Sequence, residues 1–178
     1  MDDARTLRSR LSDYRHIIPF GFNCGVAKLL QAWELRRVAY PFDWLFTDDL
    51  TRLVDLLLAD CRGMFDDLTP HPLVNEHGSP SLKNERFDLL FTHHLPSIPG
   101  HRQTLERRVA RLYDTLDRQE QTALLRLNKW PDEVAIIEEQ EIRIRQRWPW
   151  VDLLLIDGDQ SGHAPAEETL TWLHRSNA

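Results

Sequence analysis

Residues 151–156 read Val-Asp-Leu-Leu-Leu-Ile, a short and nearly unbroken apolar run. A strand with one wet face alternates polar and apolar residues, so a run of this kind asks for cover on both faces, as strands of a parallel sheet receive. His16–Phe20, Phe87–Phe91 and Thr122–Leu127 carry the same signature more weakly. Helical spacing fills the intervals. Val26, Leu29, Leu30 and Trp33 fall at i, i+3, i+4 and i+7, and Leu50, Leu53, Val54, Leu57 and Leu58 form a stripe within 48–60. Thr47 is the expected N-cap of that second helix, with Asp48 and Asp49 at the positive end of its dipole. Leu105, Val109, Leu112 and Leu116 mark another helix, and Pro131 with Asp132 and Glu133 opens one through 147. Residues 3–14 and 166–175 complete the helices, while 66–86, with Pro70, Pro72, Gly78 and Pro80, read as a surface excursion with small strands at most. Strands alternating with helices predict a single α/β domain over 1–178, a three-layer sandwich with a mostly parallel sheet.

Several function classes are disfavoured by composition. With 22 Lys and Arg against 28 Asp and Glu, the net charge is −6, opposite in sign to the footprint of a nucleic-acid binder. The apolar runs are far shorter than the ~20 residues of a membrane span, so no membrane partner is expected. The charged start, Met1-Asp2-Asp3-Ala4-Arg5, lacks the apolar core of an export signal, and two cysteines make no disulfide framework. A cytoplasmic location is the corresponding expectation.

In an open parallel sheet, ligands and reacting groups gather beyond the carboxyl ends of the strands. Those ends deliver Asn23 and Cys24, then Thr92, His93 and His94, then Asn128 and Lys129, and finally Asp157, Asp159 and His163. Cys24 follows a glycine turn and precedes an amphipathic helix. Unpaired N–H groups and the helix dipole at such a position favour thiolate, and the same N–H groups, Gly25 among them, would stabilise an oxyanion. A small packing residue also suits the position. Asn23 would add an amide donor or cap the helix. His93 and His94 are adjacent, so they should face opposite sides, and at most one can reach Cys24. No Cys-x-x-Cys or spaced histidine pair accompanies them, so a metal site is not expected. Asp43 lies in Tyr40-Pro41-Phe42-Asp43-Trp44, where a carboxylate among aromatics needs a histidine or arginine partner. Cys61, with no histidine nearby in sequence, reads as structural.

Gly21-Phe22-Asn23-Cys24, followed by Val26-Ala27, resembles the G-x-N-C-x-V-A signature of a bacterial family of papain-like cysteine peptidases. That family continues with Y-P-F-D-W, matched in full by residues 40–44, and with F-x-H-D-F, whose start is matched by Phe91-Thr92-His93. His94 stands where the family pattern has an acid, and Leu95 where it has an aromatic. The resemblance spans about residues 16–130. It implies Cys24 as nucleophile, His93 as base and Asp43 as the group that orients the histidine, with acyl transfer on a peptide, amide or ester substrate and no cofactor.

Two other readings remain open. Asp157-Gly158-Asp159-Gln160-Ser161-Gly162-His163 loosely resembles the terminal block of SGNH esterases, which would make His163 the base and give Asn128 to the oxyanion hole. Alternatively the same motifs would serve a non-catalytic domain that binds a glycan or peptide.

Overall fold

The computed structural model describes residues 4–75, 78–158 and 170–174. The apolar runs at 16, 122 and 151 become β1 (His16–Pro19), β6 (Thr122–Leu127) and β7 (Val151–Asp157), and all three are parallel in the order β1-β6-β7. Their side chains alternate between two cores. Ile18, Phe20, Leu124, Leu153 and Leu155 enter one, with the stripes of α3 (Leu50–Leu58), α4 (Pro99–Leu116) and α5 (Glu133–Arg147). Ala123, Leu125, Leu127, Leu154 and Ile156 enter the other, with Leu7 and Leu11 of α1 (Ala4–Leu11) and the Val26, Leu29, Leu30 face of α2 (Gly25–Ala32). Both faces of the sheet are therefore covered. That cover is why these strands tolerate unbroken apolar runs.

A second sheet is antiparallel, in the order β2-β5-β4-β3, and consists of β2 (Leu45–Thr47), β3 (Leu68–Val74), β4 (Pro80–Asn84) and β5 (Leu89–Phe91). Here the structure corrects the expectation that the strand ending at Phe91 joins the parallel sheet. Only Glu85–Asp88 separate β4 from β5, and Asp88 takes φ 54° in that turn. Four residues close a hairpin, whereas a parallel crossover needs a dozen or more. The proline-rich excursion is thus largely ordered as β3 and β4, with Pro70 and Pro72 on the edge strand.

Two further corrections concern element ends. Residues 171–174, expected within a terminal helix, form β8 (Thr171–His174), antiparallel to β7. The free backbone edge of β7 offers ladder hydrogen bonds, and a Thr-Trp-Leu-His segment suits a strand. The cap of α3 is Asp49 rather than Thr47, its carboxylate accepting the Arg52 N–H at 3.0 Å. Thr47 is the last residue of β2. Among the described residues, no helix is long and apolar enough to cross a membrane.

Candidate active site

After β1 the chain turns at Gly21, φ +74°. A Cβ there would lie 1.9 Å from Thr47 Oγ1 and 2.8 Å from Arg126 Nη1, so both conformation and space demand glycine. The turn delivers Asn23 and Cys24, both buried, to the start of α2. Asn23 Oδ1 accepts the Gly25 N–H at 2.7 Å, and the Cys24 carbonyl accepts the Lys28 N–H at 3.0 Å. Cys24 is the N-cap residue. Its sulfur therefore belongs to the end of the helix where N–H groups lack intrahelical acceptors and the dipole is positive.

β6 runs up to the same place. Leu127 N–H donates to the Gly21 carbonyl at 3.5 Å, and the buried Asn128 follows, its own N–H on the Ile156 carbonyl at 2.8 Å. Lys129 Nζ sits 5.1 Å from the centre of the Phe22 ring and pairs with Asp48 at 2.6 Å. Asn23, Cys24, Gly25 and Asn128 thus share the carboxyl edge of β1 and β6, as the sequence reading expected of a parallel sheet.

β2 connects this edge to a second group. The Thr47 N–H donates to the Phe22 carbonyl at 2.8 Å, and the Phe22 and Phe46 rings meet edge-on at 6.5 Å. Along β2 the register pairs Leu45 with Phe91, and past that pair the Trp44 ring meets His93, two residues after Phe91, with ring centres 5.5 Å apart. The Tyr40–Trp44 and Phe91–His93 motifs, far apart in sequence, meet through this antiparallel pairing.

Asp43 is fully buried, and its Oδ2 takes Arg36 Nη2 at 2.5 Å. Arg36 also lies over the Trp44 ring, 5.7 Å from its centre. Asp43 Oδ1 is buried with no hydrogen-bond donor among the described residues. Burial pushes the Asp43 carboxyl above its ordinary range, against the opposing pull of Arg36. The partner that the aromatic setting demanded is this arginine.

His94 sits in different company. Arg108 Nη2 lies 3.4 Å from its Nε2, and its ring is 5.4 Å from that of His101, whose Nδ1 accepts the Leu95 N–H at 3.2 Å. The two adjacent histidines, in a bend that follows β5, have separate surroundings. His163, with Asp159 and Ser161, lies outside the described residues. Cys61, at the end of α3, accepts the Tyr113 hydroxyl at 3.4 Å, and burial pushes its thiol up to about 12.

The sequence reading missed Arg126 and Glu133. Arg126 is a fully buried guanidinium on β6, paired with the Glu133 carboxylate and bonded to the Phe20 carbonyl and to Thr47 Oγ1 and carbonyl. It fastens β2 to the end of β1, directly under the glycine turn. The available signal was one arginine inside Thr-Ala-Leu-Leu-Arg-Leu, a run otherwise free of charge.

A model of the family described as "Putative papain-like cysteine peptidase (DUF1796)" matches residues 15–147, which is 133 of the 178 residues and includes the Cys24 turn, the Tyr40–Trp44 and Phe91–His93 segments and Asn128. The chain belongs to that family. Comparison with curated proteins and with solved structures gave no match. In this member of the family, the matched stretch runs from the amino end of β1 to the end of α5, so β7 and β8 fall beyond it.

Proposed function

We propose that the chain is a cysteine-dependent hydrolase that cleaves an amide or ester by acyl transfer through Cys24, with His93 as base. The supporting observation is the place of Cys24 as the N-cap of α2, at the positive end of the helix dipole and tied by β2 to the segment bearing Trp44 and His93.

In this reading His93 accepts the thiol proton as Sγ adds to the carbonyl carbon, and the carbonyl π pair moves onto oxygen. The first-turn N–H groups of α2 after Gly25, whose own N–H is held by Asn23, and the side-chain amide of Asn128 meet that oxyanion. When the C–O or C–N bond breaks, the leaving group takes the proton from His93. Water then attacks the thioester, giving up a proton to His93, and the acid departs as Sγ is restored. Asn23 anchors the loop through its bond to Gly25. Asp43 is a positioning residue, holding Arg36 and with it the Trp44 ring that lies against His93.

The test is the pH dependence of iodoacetamide labelling, resolved by peptide mass spectrometry, with Cys61 as the internal control. Cys24 should label much faster than Cys61 at neutral pH. His93→Gln should slow that labelling at least tenfold at neutral pH, and His163→Gln should leave it unchanged. Slow labelling indifferent to His93 would overturn the reading in favour of a binding domain, and dependence on His163 in its place would favour the esterase-like arrangement.

A further inference from the structure

At the opposite, amino end of β1 lies a cavity of about 320 Å³, formed between the end of α1, the segment 34–40 that follows α2, and the last turns of α4. The length of β1, at about 3.3 Å per residue, separates it from the Cys24 turn at the strand's other end. Its volume is in the range of pockets that enclose small ligands, about 300–1,000 Å³. The chain as a whole carries a net charge of −6, yet this lining holds four arginines (Arg15, Arg37, Arg111 and Arg118) and one glutamate, Glu34. Such a local reversal of sign concentrates anions.

The arginines differ in what already occupies them. Arg15 faces Glu120 at 3.9 Å, and Arg111 Nη1 donates to the Ala39 carbonyl at 2.6 Å, which fixes it against the wall. Arg37 gives one N–H to the Arg15 carbonyl at 3.3 Å. Among the described residues the Arg118 guanidinium makes no hydrogen bond or ion pair, its charge acting only at longer range on Glu120 and Tyr40. A guanidinium carries five donors in a planar fork suited to two oxygens of one anion. The rest of the lining is mostly apolar or aromatic, with Leu35, Val38 and Tyr40 beside the arginines and Ser12, His16 and Thr115 as its other polar side chains, and Val38 is 41% exposed. Exposed arginines beside apolar and aromatic side chains match one kind of guest.

We infer that this cavity binds a small amphiphile, an oxyanion head group (carboxylate or phosphate) on a short apolar body. The head group takes Arg118 and Arg37, and the body lies against Leu35, Val38 and the Tyr40 ring. The site is separate from the Cys24 turn, none of whose residues lines it, although Tyr40 opens the segment that carries Asp43.

Calorimetric titration of the whole chain with sodium octanoate, octyl phosphate, 1-octanol and inorganic phosphate tests the assignment without any activity assay. Saturable one-to-one binding of octanoate or octyl phosphate is expected, and the tighter of the two names the head group. Both Arg118→Gln and Arg37→Gln, at exposed positions that leave the core untouched, should weaken it at least tenfold. 1-Octanol and inorganic phosphate should each bind at least tenfold more weakly than the amphiphilic anion, and Cys24→Ser should bind as well as the parent chain. The inference is overturned if neither anion saturates, if octanol or inorganic phosphate binds as tightly, if the arginine variants bind unchanged, or if Cys24→Ser abolishes binding.

Discussion

Arg126 enters the interior with an acceptor for each of its five N–H donors: Glu133 Oε1 twice, Thr47 Oγ1, and the carbonyls of Thr47 and Phe20. A buried charge is tolerable only when it is paired and fully bonded, and removing one partner leaves the other stranded in a poor solvent. Arg126→Met should therefore cost about 3–5 kcal/mol, read from urea unfolding. The double variant Arg126→Met/Glu133→Gln should recover a clear part of that loss. A single-variant cost under about 1 kcal/mol would contradict the account, given the size expected for a stranded buried charge. The same residue marks a boundary of what sequence can say. The Cys24 turn was legible because glycine, asparagine and an amphipathic start announce a helix N-terminus locally. Arg126 was not, because its acceptors come from positions 20, 47 and 133.

At the level of elements, β1, β6 and β7 could be read directly, since cover on both faces leaves its mark on each strand separately. β5 could not: Leu89-Leu90-Phe91 looks the same in a parallel sheet or in a hairpin, and only the four-residue connection to β4 decides between them. β2, three residues of Leu-Phe-Thr, is too short to announce itself, and yet its pairing is what brings His93 to Trp44. The missed strand also accounts for the misplaced cap of α3, because Thr47 belongs to β2 and leaves Asp49 to bond the Arg52 N–H. Asp49→Ala should destabilise the chain by about 1 kcal/mol, the usual cost of losing an N-cap, measured as a drop in urea midpoint at unchanged slope. Asp49→Ser should restore most of it. No difference between Asp49→Ala and the parent chain would remove Asp49 from the capping role.

For the whole molecule, burial acts in one direction on four weak acids. The Cys61 thiol rises from 9.0 to about 12, and the hydroxyls of Tyr14, Tyr40 and Tyr113 rise too, in each case chiefly through burial. An acid whose pKa is raised by folding keeps its proton in the native state after the unfolded chain has released it. Stability should accordingly be full below about pH 9 and fall as pH climbs towards about 12. Urea midpoints at pH 8, 10 and 11 check this, with a shallower decline expected for Cys61→Ala. Equal midpoints at pH 8 and pH 11 would sink the argument. The outer rim of the second sheet bears on a different matter, the company that copies of the chain keep at high concentration. An exposed edge strand normally offers a neighbour an unbroken row of N–H and C=O groups, the template from which fibrils grow. In β3, Pro70 and Pro72 each delete a donor. Although Leu73 and Val74 at its end are exposed and apolar, a second molecule adding a strand at β3 finds a ladder with two donors missing.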